Sequence, residues 1–278
     1  MPCEGLDMNT IHPATSTRHR VALVTGASSG IGEALAAALA ARGTHVALVA
    51  RTRARLEELA ARIEAAGGRA TVLPADLATP GAAERIHDEV QRLGLGVDLL
   101  VNNAGFGHYG AFESQEPQRL TDMLQVNIVA LTELTRKFAP ALVERQGTIL
   151  NLASTAGMQP APYMSAYGAT KAYILMLSEA LWAEYRGRGL HVVAVCPGPV
   201  ETPFIDAQGA ESRGTRVFRS MLEVDDVVRD CLVALDRRSP TRIVGLRNRL
   251  VVQAARFSTR GLTARMSARM LSAPSSKG

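Results

Sequence analysis

The sequence predicts an α/β fold of three layers, with a doubly wound parallel sheet at its centre and a basic helical extension at its C-terminal end. Three observations carry this expectation. Short apolar runs alternate with helical stretches over most of the chain. A glycine-rich turn follows the first apolar run directly. The residues best suited to chemistry fall at the carboxyl ends of the runs, which is where such sheets bind ligands.

The elements follow in order. Val21–Thr25 is a short apolar strand that ends at the turn Gly26, Ala27, Ser28, Ser29, Gly30, Ile31, Gly32. Residues 31–42 are Ala-rich and helical, and Gly43 closes them. A second buried strand spans His45–Ala50. Residues 53–66 place Leu56, Leu59, Ala60 and Ile63 at spacings of three and four, the mark of a one-sided helix that Gly67 and Gly68 terminate. Further strands are expected over 70–74, 99–102, 147–152 and 191–196. One long helical stretch is expected over 117–143. Apolar strands between amphipathic helices imply a parallel sheet covered on both faces, wound by right-handed crossovers. No repeat, low-complexity block or linker interrupts the chain before about Arg238. The expected organisation is a flexible segment over 1–19, a main domain over 20–245 and a basic helical extension over 246–278.

Composition sets the class. The chain has 278 residues, 47% hydrophobic and 21% charged, which suits one large globular α/β domain. Three scattered cysteines, Cys3, Cys196 and Cys231, suggest neither a disulfide framework nor a metal cluster. Cys196 and Cys231 read as buried thiols. No run of eighteen apolar residues is present, and the first twenty lack the apolar core of a secretory signal, so a cytoplasmic setting is expected. The net charge of +5 is uneven: residues 237–278 hold nine Arg, one Lys and no acid, or +10, so the remainder sums to −5.

Within that tail, Leu246, Leu250, Ala254 and Phe257 fall on one helical face, with Arg249, Arg256 and Arg260 largely opposite. Leu262, Met266 and Met270 follow beside Arg265 and Arg269. Three readings are open: packing on its own domain, cover for a neighbouring subunit, or peripheral contact with an anionic membrane. The acidic remainder offers no aromatic-basic surface for nucleic acid.

The glycine turn between strand and helix is built for a pyrophosphate, which rests on helix N-terminal N–H groups with glycine permitting close approach. Ser28, Ser29 and Ile31 share that turn. Dinucleotide sites that take NAD usually place an acid at the end of the second strand, to bond the ribose 2′-hydroxyl. Here Ala50 is followed by Arg51, Thr52 and Arg53. A guanidinium at Arg51 suits a 2′-phosphate, which favours NADP(H) over NAD(H). Arg53 and Arg55 read as solvated helix charges.

Tyr167 and Lys171 are four residues apart and share a helical face. An ammonium beside a phenol favours the phenolate, so Lys171 is expected to lower the Tyr167 pKa and make it a usable proton donor and acceptor. Ser154, thirteen residues earlier, could bond the same substrate oxygen.

Taken in order, the glycine turn, Asp76-Leu77, Asn102 to Gly105, Asn127, Ser154, Tyr167, Lys171 and Pro197-Gly198 resemble the short-chain dehydrogenase/reductase family over roughly residues 20–245. The resemblance implies a Rossmann-type fold and a homodimer or homotetramer. It implies that Asp76 bonds the adenine with Leu77 presenting backbone nearby, and that Asn102, Asn103, Ala104 and Gly105 line the adenine-ribose side. Pro197, Gly198, Val200 and Thr202 would hold the nicotinamide end. Lys171 would also bond the nicotinamide ribose. Asn127 would bend its helix and hold a water linked to Lys171. No metal is implied.

Together these point to an NADPH-dependent reductase of a ketone or aldehyde. The alternatives are an oxidative NAD-linked alcohol or hydroxysteroid dehydrogenase, against which Arg51 argues, and a non-catalytic NADP(H) sensor, against which the full Asn-Ser-Tyr-Lys set argues. Phe106, Tyr109, Met158, Tyr163, Phe204, Ile205 and Phe218 suggest a lipophilic pocket, with His108 a further candidate contact. Residues 201–221, with Gly209 and Gly214, read as a mobile lid. Residues 157–162 resemble the branch of 17β-hydroxysteroid dehydrogenases and long-chain 3-ketoacyl-CoA reductases.

Overall fold

The computed structural model describes residues 19–208, 213–215 and 217–272. The expected flexible segment lies outside them, apart from its last residue, and so do Cys3 and part of the expected lid. His19 is buried. Its carbonyl accepts from Thr44 Oγ1 at 2.9 Å, while the Asp98 carboxylate accepts from the backbone N–H groups of Arg20 and Val21 at 2.8 and 3.0 Å. His19 thus packs against the main domain expected to start at residue 20.

Seven parallel strands form one sheet: β1 Val21–Thr25, β2 His45–Ala50, β3 Arg69–Pro74, β4 Leu99–Asn102, β5 Thr148–Leu152, β6 His191–Cys196 and β7 Thr241–Ile243. Their order is β3-β2-β1-β4-β5-β6-β7. The winding reverses between β1 and β4, and this opens a crevice beyond the carboxyl ends of the strands. The central strands are apolar without alternation because both of their faces are buried. Strand β7 was not anticipated. It has three half-buried residues, and its Arg242 pairs with Asp230, so it carries no apolar run to read.

The helices are α1 Gly30–Ala41, α2 Arg53–Ala65, α3 Ala82–Arg92, α4 Pro117–Leu124, α5 Leu131–Glu144, α6 Ser165–Glu184, α7 Pro203–Gln208, α8 Val224–Arg237, α9 Leu246–Arg256 and α10 Arg260–Leu271. On one face of the sheet, α1, α2 and α8 bring Leu35, Leu56 and Val227 against Val24 and Val46. On the other, α3 and α5 bring Ile86, Phe138 and Leu142 against Leu23 and Ile149. Each such side chain, fully buried, stabilises the fold by roughly 1.5–3 kcal/mol. Cys196 and Cys231 are buried free thiols, and burial pushes both up to about 12.

The long helix expected over 117–143 is broken. Glu116 caps α4 by accepting from the N–H groups of Gln118 and Arg119, and Pro117 occupies the first turn. A π-helical turn, Gln125–Ala130, then separates α4 from α5. The widened turn carries the buried Asn127, whose amide is engaged outside its own helix.

Candidate active site

A cavity of about 430 Å³ opens at the carboxyl ends of the strands, beside the point where the winding reverses. One end is built from the turn after β1. Gly26 has φ +67°, and a Cβ there would lie 2.7 Å from Asn103 Nδ2. A Cβ on Gly32 would collide with the Gly26 carbonyl oxygen and Asn103 Nδ2. Asn103 locks the turn in place: its Nδ2 donates to the Thr25 and Gly26 carbonyls at 2.9 and 3.2 Å, and its N–H donates to Thr25 Oγ1 at 3.0 Å. The turn leaves a side-chain-free cradle at the start of α1, with Ser28, Ser29, Gly30 and Ile31 on the cavity wall. That is the surface a pyrophosphate needs.

The same wall continues to Arg51, Asp76 and Leu77 at the ends of β2 and β3, and to Asn103, Ala104 and Gly105 after β4. Asp76 accepts from the Ala78 N–H through Oδ1 at 3.0 Å. Arg51 is exposed and forms no ion pair with any described residue, whereas Arg53 and Arg55 pair with Glu57 and Glu58 within α2. Asn102 departs from expectation. Its Nδ2 donates to Thr135 Oγ1 and Asn151 Oδ1 at 3.0 and 2.9 Å, inside the sheet and away from the cavity. Asn151 in turn donates to Ser178 Oγ on α6 at 2.9 Å. This buried chain ties the strands to the helix that bears the chemistry.

Ser154, Tyr167 and Lys171 gather at the other end of the cavity, and all three are buried. Ser154 follows β5; its Oγ accepts from the Ala156 N–H at 3.1 Å and bonds Tyr167. Lys171 stands one turn beyond Tyr167 on α6, with Nζ 5.7 Å from the phenol ring and donating to the Leu152 carbonyl at 2.7 Å. Burial holds the Lys171 ammonium down to about 8. Burial also pushes the Tyr167 phenol up to about 12, with the Ser154 hydrogen bond pulling the other way. The expectation that Lys171 would lower the Tyr167 pKa is not met. The ammonium spends its contact on a carbonyl, and loss of solvent dominates.

Asn127 joins three elements. Its Oδ1 accepts from the Phe106 N–H at 3.1 Å, while Nδ2 donates to the Phe106 carbonyl and to Thr170 Oγ1 at 2.9 and 3.0 Å. A Cβ on Gly105 would sit 3.0 Å from Asn127 Oδ1 and 3.7 Å from Lys171 Nζ. Pro197, Gly198, Val200 and Thr202, after β6, form the roof.

The apolar lining is partly as expected. Phe106, Phe204, Ile205 and Phe218 face the cavity, and the Tyr167 and Phe204 rings lie 5.6 Å apart. Met158 instead packs among Leu131, Ile174 and Cys196. Tyr163 is 38% exposed, with φ +64°, and leans on Tyr109 rather than lining the cavity, and His108 does not line it either. Sequence reasoning missed Met164 and, above all, Leu271. Leu271 ends α10, 69 residues beyond Thr202, the nearest residue of any motif (271 − 202). Its carbonyl accepts from Tyr109 Oη at 2.5 Å, and its side chain joins the cluster around Tyr167. Asn248 on α9 also packs close against Gly198. The basic tail therefore reaches the cavity, a placement that nothing local in its sequence signals.

Comparison with known proteins agrees with this geometry. Residues 20–213 match the short chain dehydrogenase family model. A very-long-chain 3-oxoacyl-CoA reductase of Anas platyrhynchos is 38% identical over 189 residues, covering 65% of this chain and 60% of that protein. A short-chain dehydrogenase from Sphingobium yanoikuyae, solved in complex with NADPH, is 34% identical with a TM-score of 0.76, covering 92% of this chain and 99% of its own. The bulky-bulky ketone specific alcohol dehydrogenase from Comamonas testosteroni is 31% identical with a TM-score of 0.72, covering 86% and 93%. The chain spans about two thirds or less of the length of the curated relatives it matches, and it belongs to the short-chain dehydrogenase/reductase family of Rossmann-fold proteins.

Proposed function

We propose that the chain is an NADPH-dependent reductase of a bulky, lipophilic ketone or aldehyde. The observation that carries this reading is one cavity with Ser154, Tyr167 and Lys171 buried at one end and Arg51, without an ion pair among the described residues, at the other. The cradle from Gly26 to Gly32 would hold the pyrophosphate and Arg51 the 2′-phosphate. Asp76, Leu77 and residues 103–105 would flank the adenosine, and residues 197–202 the nicotinamide end. When bound, the reduced nicotinamide supplies the hydride.

The chain's own residues manage the oxygen. Ser154 Oγ donates to the carbonyl oxygen and fixes it beside the Tyr167 hydroxyl. As charge grows on that oxygen, Tyr167 gives up its proton. A phenol kept neutral by burial suits this step, because an alkoxide is far more basic than a phenolate. Lys171, whose Nζ donates to the Leu152 carbonyl, would turn from there to a cofactor hydroxyl. Asn127 positions α6 against the loop after β4. The lining of Phe106, Phe204, Ile205, Phe218 and Leu271 supports an apolar substrate, as do the names of the very-long-chain 3-oxoacyl-CoA reductase and the bulky-bulky ketone specific alcohol dehydrogenase. A homo-oligomer is supported by the exposed apolar residues Leu124, Val129, Tyr173 and Met176, near the Thr132–Tyr173 hydrogen bond that links α5 to α6. Sedimentation of the full chain at monomer mass would rule that assembly out.

The test of the activity is NADPH and NADH oxidation over a carbonyl panel spanning small aldehydes, aryl ketones, steroids and 3-ketoacyl thioesters. Tyr167→Phe is expected to bind NADPH as the parent does and to lose turnover by about 10²–10⁴-fold. Undiminished turnover in that variant would refute the proton donor.

A further inference from the structure

The helix pair at the C-terminal end is amphipathic in the wrong direction for packing. Along α10 the residues turned inward are Thr263 and Ser267, with Leu271 at the end, while Leu262, Met266 and Met270 are turned to solvent. Helix α9 buries Val252 and rests Asn248 on Gly198, yet exposes Leu246, Leu250 and Val251. Phe257, between the two helices, is 91% exposed. Of the fourteen large apolar residues exposed among the described residues, seven lie between 246 and 270. A chain that places hydroxyls inward and methionines outward has a second apolar phase to meet on that side.

Charge identifies the phase. Arg247, Arg249, Arg260, Arg265 and Arg269 are exposed, and none forms an ion pair with a described residue. No Asp or Glu occurs anywhere from residue 237 onward. Leu246 and Leu250 on α9 and Phe257 just after it form one stripe, and Arg247 and Arg249 flank it on either side. A second copy meeting this surface about a two-fold axis would bring arginines against arginines. A polyanion such as nucleic acid would leave Phe257 and the methionines unburied. Anionic lipid satisfies both halves: headgroups take the guanidinium groups, and the acyl boundary takes the leucine, methionine and phenylalanine side chains.

We infer that α9 and α10 are a docking surface for an anionic lipid bilayer. The surface is continuous with the cavity, because α10 ends in Leu271 on the cavity wall. Docking therefore brings the substrate pocket to the membrane, where an apolar carbonyl compound would be dissolved. That consequence rests on the proposed activity; the docking itself does not.

The experiment is co-sedimentation of the full chain with vesicles of phosphatidylcholine alone and of phosphatidylcholine with phosphatidylglycerol at about three to one. Binding to the anionic vesicles is expected to exceed binding to the neutral ones by at least about tenfold and to weaken with salt. Leu250→Asp with Phe257→Asp is expected to lower it by at least about tenfold while leaving the melting temperature and NADPH binding unchanged, since both side chains are exposed. Arg265→Glu with Arg269→Glu should abolish the preference for phosphatidylglycerol. Failure of the parent chain to bind anionic vesicles would overturn the inference, as would equal binding by the Leu250/Phe257 variant. A fall in oligomer size in that variant would overturn it too, by assigning the surface to a second copy. Turnover is not read, so failure here is distinct from failure of the proposed reaction.

Discussion

Arg51 shows how far one residue can be read from sequence. The missing acid after β2 and the guanidinium in its place were visible in the chain, and the structure leaves Arg51 at the cavity edge without an ion pair among the described residues. A 2′-phosphate there would gain a charge-assisted contact that a 2′-hydroxyl cannot supply. Arg51→Asp should therefore lower the NADPH-to-NADH preference by at least about tenfold, about 1.4 kcal/mol. Paired kcat/KM measurements with the two cofactors check this; an unchanged ratio would mean the 2′-phosphate is read elsewhere. Tyr167 marks the limit of such reading. Its partner was legible as Tyr-x-x-x-Lys, but the pattern is blind to solvent. Burial sets the phenol at about 12, and Lys171 at about 8 is engaged by the Leu152 carbonyl.

Whole elements were legible where a period repeats and obscure where a single side chain decides. Strands β1 to β6 and helices α1 and α2 fall within about one residue of expectation, because apolar runs and glycine stops mark them. Strand β7 was missed because three residues give no period. The break at Gln125–Ala130 was missed as an element, since Asn127 gains its partners from the loop at Phe106 and from Thr170, both distant in sequence. Asn127→Ala would strand the Phe106 amide and carbonyl, at an expected cost of about 2–4 kcal/mol. Urea unfolding measures that; a loss below about 1 kcal/mol would mean the backbone groups find other partners. Helix α10 offers a second test. Leu271→Ala should raise KM for bulky ketones by about tenfold and leave kcat nearly unchanged, because a cavity-wall contact binds ground and transition states alike. A fall in kcat without a change in KM would place Leu271 in the orientation of the Tyr167 hydroxyl instead.

At the scale of the whole molecule, the amino edge of the sheet carries two acid-sensitive histidines away from the cavity. His191 opens β6 and His19 precedes β1; both are buried, and the Nε2 atoms of both rings lack a partner among the described residues. Burial, with Arg238 and His19 nearby, lowers His191 to about 4. Burial lowers His19 as well, with the Asp98 carboxylate 3.9 Å away opposing and Arg238 adding to the fall. An unfolded chain binds a proton on His191 near its ordinary 6.5, while the folded chain resists until about 4. Over that window the unfolded state holds more protons, so stability falls as pH falls from about 6.5 to 4, and flattens below. His191→Val, which suits a strand and cannot titrate, should remove much of that slope while leaving stability at pH 7.5 close to the parent's. Melting temperatures across pH 4–8 for the parent and the variant decide it. Parallel curves would show that the acid sensitivity arises from carboxylates elsewhere, whereas curves that converge near neutrality and separate toward pH 4 would place it at His191.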